Sequence, residues 1–285
     1  MYKTLCLSGG GSSGISIIGS LKFLEENKVF NNFSIKKYVG TSVGSIIAFL
    51  LNLNYNLDFI LEFINTFNIN IIFENLNIDN LFEDYGLLKG DKLINILKSI
   101  LYKKYKINNV SFKELYKITK KKICIIGSNV SKNREEYFSY ETTPDLSVIK
   151  AIRISSSIPI IFTPVIMNND YYCDGGLTNN FPINYCNKKY TLGLIVCNNG
   201  ETDINCISSY LSSIYNNIIK YTNIKNKYNK KNTIFLKGIK GALNLNKEMI
   251  NSMLKSSKND TKNFFENNKK LIVYSIIQDL IDSIF

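Results

Sequence analysis

The chain has 285 residues, 45% of them hydrophobic and 20% charged, enough to bury one large core; α/β enzymes of this length commonly form a single domain. Its formal charge of +12 comes almost wholly from lysine, since Arg134 and Arg153 are its arginines; lysine reads bases and phosphates poorly, so no nucleic-acid partner is expected. Histidine is absent, which excludes Ser-His-Asp and Cys-His sites and histidine-ligated zinc, and leaves carboxylates, lysines, cysteines and tyrosines to move protons near neutral pH.

Met1 to Ser8 holds too short an apolar stretch for a signal peptide, and no apolar run approaches the roughly 20 residues that span a bilayer. An intracellular, cytoplasmic protein is expected. The positive charge has two readings: a general enrichment of Lys, Asn and Ile along the chain, or peripheral adhesion to an anionic membrane surface. Cys6, Cys124, Cys173, Cys186, Cys197 and Cys206 form no CxxC pair and read as reduced, structural thiols.

Residues 4–8 read as a strand, followed by a glycine turn and an amphipathic helix over Gly14–Val29. The unit repeats with a strand at Ile35–Val39, the turn Gly40-Thr41-Ser42-Val43-Gly44, and an apolar helix over Ser45–Leu53. Two such units predict a parallel sheet covered by helices. Helices are expected at Leu57–Phe67, Asp91–Tyr105 and Ser111–Thr119, then strands at Lys122–Ser128 and Glu135–Tyr140. A helix over 146–157 stops at Ser157-Ile158-Pro159. A single strand is predicted at Val165–Cys173 and another at Thr191–Cys197. Ile207, Leu211, Ile214, Ile218 and Tyr221 mark a helix, and two further helices are expected at Lys247–Phe265 and Leu271–Phe285. The Lys/Asn-rich stretch Asn223–Asn232 reads as a surface loop. These elements are expected to form one domain over 1–285, with a motif-bearing core at about 4–197 and the C-terminal helical segments 205–285 packed on it.

Gly40-Thr41-Ser42-Val43-Gly44 is a GxSxG sequence between a strand and a helix, the context in which the serine hydroxyl is pushed out over the sheet and the helix N-terminus aims at it. The earlier turn, Gly9-Gly10-Gly11-Ser12-Ser13-Gly14, could be a dinucleotide fingerprint. That fold wants an acidic residue about 20 positions on, and Phe33 through Gly44 contains none. The other reading is an oxyanion hole, in which consecutive glycines let N–H groups converge at the head of a helix. A serine nucleophile also needs a base, and without histidine the natural candidate is an aspartate at a strand end, as in Asp174-Gly175-Gly176. Its pKa, normally near 4, would have to be raised by partial burial in an apolar cleft. Taken alone, Asp-Gly-Gly is a common structural turn.

The ordered set GGGxxG, GxSxG and DGG, with Ser155-Ser156-Ser157-Ile158-Pro159 before the aspartate and Leu177-Thr178-Asn179-Asn180-Phe181-Pro182 after it, resembles the patatin-like phospholipase family. The resemblance spans Leu5 to about Val196. It implies a three-layer α/β/α fold with a mainly parallel central sheet and a lipid acyl hydrolase of phospholipase A or lysophospholipase type, working through an acyl-enzyme. By that match Ser42 is the nucleophile and Asp174 the base. Gly9, Gly10, Gly11 and Val43 form the oxyanion hole, with Gly14, Gly40, Gly44, Gly175 and Gly176 as motif support. Membrane phospholipid or lysophospholipid is the substrate expected. A catalytically silent lipid- or membrane-binding homologue is the alternative, against which the intact Ser42 and Asp174 argue. Ser13 departs from the Arg or Lys that the family often carries there, which leaves open how the glycine loop is braced. Arg153 reads as structural in preference to substrate-binding. No calcium loop is recognisable, so no metal and no cofactor is expected.

Overall fold

The computed structural model describes residues 2–66, 79–198, 203–205, 207–225, 231–239 and 245–284. Phe67, Cys206, residues 226–230 of the Lys/Asn-rich stretch, and Phe285 lie outside them. The sheet has β1 (Thr4–Leu7) at its centre, between β2 (Lys37–Thr41) and β9 (Thr191–Cys197). β10 (Thr233–Lys237) lies outside β9 and β4 (Lys122–Asn129) outside β2, and all five strands run parallel. β5 (Arg134–Ser139) and β8 (Asp170–Asp174) pair antiparallel with β4, and β7 (Val165–Met167) pairs with β8. A separate two-stranded sheet joins β3 (Gly86–Leu88) to β6 (Ile160–Phe162). The expected three-layer, mainly parallel α/β fold is what forms.

Side chains alternate across a strand, and here that period divides the core in two. Leu5, Leu7, Tyr38, Ile123, Ile125, Leu192 and Leu194 face one side, with α1 (Gly14–Glu26), α2 (Val43–Asn52), α3 (Leu57–Thr66), α5 (Asp91–Tyr105) and α7 (Val148–Ser155). Cys6, Val39, Cys124, Ile126 and Ile195 face the other, beneath Phe181, Ile183 and Cys186. Four of the cysteines are buried and free and Cys197 is half-buried and free, so the described thiols serve the core. Three further described helices are α4 (Asp79–Glu83), α6 (Phe112–Thr119) and the short α8 (Gly176–Asn179). After it come α9 (Ile207–Lys225) and α10 (Lys247–Ile284).

Several expectations are corrected. The strand predicted at Val165–Cys173 is the β7–β8 hairpin. Asn168 and Asn169, at φ 52° and 65°, make the two-residue turn that suits right-twisted strands. The two C-terminal helices are one, because nothing between Phe265 and Leu271 is Pro or Gly to stop it. It docks on α1, where Thr261 Oγ1 donates to Ser20 Oγ at 2.7 Å. The first residues of the presumed Asn223–Asn232 loop belong to α9, and Asn232 is buried just before β10, a strand the sequence reading passed over.

Arg153 is structural. It is 4% exposed, and its Nη2 donates to Lys89 O at 2.7 Å and Thr163 O at 2.9 Å while Nη1 donates to Ser157 Oγ. One guanidinium thus fastens the small β3–β6 sheet to the end of α7, and burial pulls its pKa down to about 10. Arg153→Met keeps the stem but strands buried carbonyls, so the unfolding free energy should fall by about 2–4 kcal/mol, read from the guanidinium midpoint.

Candidate active site

Ser42 is the residue between β2 and α2, at φ 52° and ψ −125°, backbone that a non-glycine residue adopts only at a cost of about 1–3 kcal/mol. The two glycines around it allow the turn. A Cβ on Gly40 would lie 2.5 Å from Gly44 O, and one on Gly44 would lie 2.5 Å from Ser8 O. Helix and strands therefore approach closely enough for Ser42 to be levered out of the turn and into a cavity.

Asp174 reaches the same point from the opposite direction. β2 pairs with Lys122–Ile126 of β4 and ends there, with Thr41 opposite Ile126. β5 occupies the other edge of β4, so β8 takes up the edge that β2 vacates, with Asp174 opposite Gly127. Two strands running toward each other along one edge of β4 bring Ser42 and Asp174 end to end. Gly175 sits at the junction, where a Cβ would be 2.9 Å from Thr41 Cγ2.

The serine run after α7 binds both backbones. Ser42 N–H donates to Ser155 Oγ at 2.8 Å, and Asp174 N–H donates to Ser157 O at 2.8 Å. In the sequence Ser155 and Ser157 stand only as part of a family pattern; in the fold they hold the two ends together.

Asp174 is fully buried, and burial raises its pKa from 3.8 to about 6. The Gly176 N–H, which donates to Oδ1 at 2.7 Å, and the nearby Ser42 and Tyr215 hydroxyls pull the other way. Oδ2 nevertheless closes no hydrogen bond among the described residues, and neither does the Tyr215 hydroxyl. Tyr215 belongs to α9, and its oxygen would be 2.6 Å from a Cβ on Gly176. Burial and the Asp174 charge both raise its pKa. Sequence reading missed it: Tyr215 falls between Ile214 and Ile218 in a helix recognised only by its apolar spacing.

In the glycine turn the Gly9 N–H donates to Asn180 O at 3.1 Å and so is committed, contrary to its expected oxyanion role. The N–H groups of Gly10, Gly11 and Val43 have no acceptor among the described residues, as helix and turn beginnings leave them. Ser13 answers for the missing basic residue. Its Oγ donates to Ile239 O at 3.2 Å and accepts from Ile239 N–H at 3.1 Å, tying the turn to the segment after β10. Gly14 packs on Val43, which a Cβ would crowd at 2.6 Å.

Over these groups lies a cavity of about 260 Å³ that includes Gly10, Gly11 and Ser42 and is walled by Ile158–Ile161, Leu177, Ile239 and, from α9, Leu211, Ile214, Tyr215, Ile218 and Ile219. Its wall is mostly aliphatic. Ile160 enters it at φ 72°, an outlier for a β-branched residue. Among the described residues no three His, Cys, Asp or Glu side chains gather as metal ligands.

The sequence model for patatin-like phospholipases matches residues 5–186. A probable lipid hydrolase of Invertebrate iridescent virus 6 is 36% identical over 196 residues, 66% of each chain, and an uncharacterized protein of Acanthamoeba polyphaga mimivirus is 34% identical over 70% of this chain and 67% of its own. The chain thus spans about two thirds of the length of these relatives. Among solved structures, VipD from Legionella pneumophila superposes with a TM-score of 0.65 at 18% identity, covering 94% of this chain and 67% of its own. ExoU in its complex with SpcU, from Pseudomonas aeruginosa, gives 0.53 at 16%, over 94% and 52%. These two share the fold.

Two outcomes test the geometry. Ser155→Ala removes the acceptor of a buried N–H, and stability should drop by about 1–3 kcal/mol in urea unfolding. For Asp174, the unfolded chain ionises near 3.8 and the folded chain near 6. Stability therefore falls as pH rises through that window and stays lowered above it. Asp174→Asn should be more stable than the parent near pH 8, by about 1–3 kcal/mol, and gain nothing near pH 4. Denaturant titrations at both pH values measure this, and equal gains at both would show that ionisation of Asp174 is not the cause.

Proposed function

Because the chain belongs to the patatin-like phospholipase family, we propose that it is a lipid acyl hydrolase of phospholipase A or lysophospholipase type, with Ser42 as nucleophile and Asp174 as its base. The observation that carries this reading is the meeting of a strained serine with a fully buried aspartate of raised pKa under an aliphatic cavity.

Asp174 takes the Ser42 proton as Oγ attacks the ester carbonyl, and the charge that develops on the carbonyl oxygen meets the N–H groups of Gly10, Gly11 and Val43. Backbone donors, not a calcium ion, fill that role in this scheme. The protonated Asp174 then returns its proton to the departing alcohol, leaving the acyl group on Ser42. Water, deprotonated by the same carboxylate, releases the fatty acid by the reverse path. A carboxylate with a pKa of about 6 is a far better base than a solvated one, and it stays ionised at neutral pH. A cavity of about 260 Å³ is small for a ligand site. One acyl chain beside Ser42 suits it, with the head group outside, so the substrate is membrane phospholipid or lysophospholipid.

A fluorophosphonate should add to Ser42 alone, with no label in Ser42→Ala by mass spectrometry. The acid limb of kcat/KM should show one ionisation near about 6, falling about tenfold per pH unit below it. Folded Asp174→Asn that turned over lipid esters within about tenfold of the parent would end the dyad reading.

A further inference from the structure

α9 is an unusual cover for a cavity, because it is apolar on its outside as well as beneath. Ile207, Tyr210, Ile214, Ile218 and Tyr221 are all exposed, Ile207 by 72% and Tyr221 by 73%. At 100° per residue these five fall within an arc of about 80°, one continuous stripe along the helix. Single exposed apolar residues need no explanation, but an ordered row of five does.

The stripe adjoins the cavity. Ile214 and Ile218 belong to both: each is exposed, and each lines the space over Ser42. Ile160, 41% exposed, also lines the cavity. An apolar path therefore runs from the outer surface of α9 over its shoulder to the nucleophile. Electrostatics decides what lies on that surface. α9 contains lysine and no Asp or Glu, in a chain of net charge +12. A second copy would bring the same positive charge against itself, whereas an anionic bilayer attracts it and offers hydrocarbon to the stripe.

We infer that the outer stripe of α9 is a docking surface for an anionic lipid bilayer, from which an acyl chain passes beside Ile214 and Ile218 to Ser42. The passage rests on the hydrolase reading above; the docking does not, since binding needs no turnover. An interfacial helix of this kind buries its apolar side chains at the boundary of head group and acyl chain, and its affinity grows with the area buried.

The test separates the two. In a Ser42→Ala background, which cannot consume the lipid, co-sedimentation with vesicles of phosphatidylcholine plus phosphatidylserine should exceed that with phosphatidylcholine alone. Replacing Ile207→Ser and Tyr221→Ser together, at positions that line no part of the cavity, should weaken vesicle binding by about tenfold or more. With Ser42 intact, the same pair of substitutions should leave turnover of a short, water-soluble ester unchanged. The inference is overturned if the double variant binds vesicles as the parent does, or if the parent ignores both vesicles. It is overturned too if sedimentation shows the stripe joining two copies that the double variant separates. Vesicle binding by a parent that hydrolyses no ester would instead condemn the hydrolase reading and leave the docking surface standing.

Discussion

Ser42 holds its left-handed backbone with its N–H on Ser155, and Asp174 arrives beside it with its own N–H on Ser157. These two bonds, from residues two apart at the end of one helix, set the separation and aim of the pair. Most of the surrounding fold serves them. Arg153 pins the run from below through Ser157 and the Lys89 and Thr163 carbonyls, and Gly40 and Gly44 make room for the turn. Buried backbone donors of this kind are costly to leave unmade, so the arrangement resists relaxation toward an unstrained serine.

In a chain without histidine, burial makes Asp174 a carboxylate of raised pKa beside Ser42. The helix α9 covers the carboxylate, withdraws water from Oδ2 and lifts the pKa of Asp174 to about 6. Folding bears this cost, since an ionised, buried and incompletely bonded carboxylate weakens the native state at neutral pH. The same helix supplies the aliphatic wall that would receive an acyl chain. The raised pKa of Asp174 and the aliphatic wall thus arise from one act of covering.

Much of this was legible in the sequence, for identifiable reasons. Ser42 and the glycines around it announce themselves because a sharp strand-to-helix turn admits few residues, and the parallel sheet follows from two strand-turn-helix units in succession. Asp174 stands out in the sequence as a candidate base by elimination and by the company of the other motifs. The hairpin at Asn168–Asn169 was misread because a two-residue turn breaks an apolar run so briefly. Gly9 looked like an oxyanion donor because sequence shows a glycine but not the Asn180 carbonyl that claims its N–H. Ser13 looked like a defect in the loop and is its anchor to Ile239. Tyr215 could not have been singled out, for its meaning comes from a contact with Asp174 that only the docking of α9 creates.

The shared edge of β4 also governs where such a chain can change length. Ser42 and Asp174 are fixed through β4, because Thr41, just before Ser42, stands opposite Ile126 and Asp174 stands opposite Gly127, neighbours on one strand. Loops elsewhere between the two can be lengthened or trimmed without altering that spacing, as surface connections generally can. β4 itself cannot. One residue inserted between Ile126 and Gly127 would push the two ends apart by a strand step of about 3.3 Å and turn Asp174 to the wrong face. The strand that carries neither Ser42 nor Asp174 is therefore where an insertion or deletion is least tolerated.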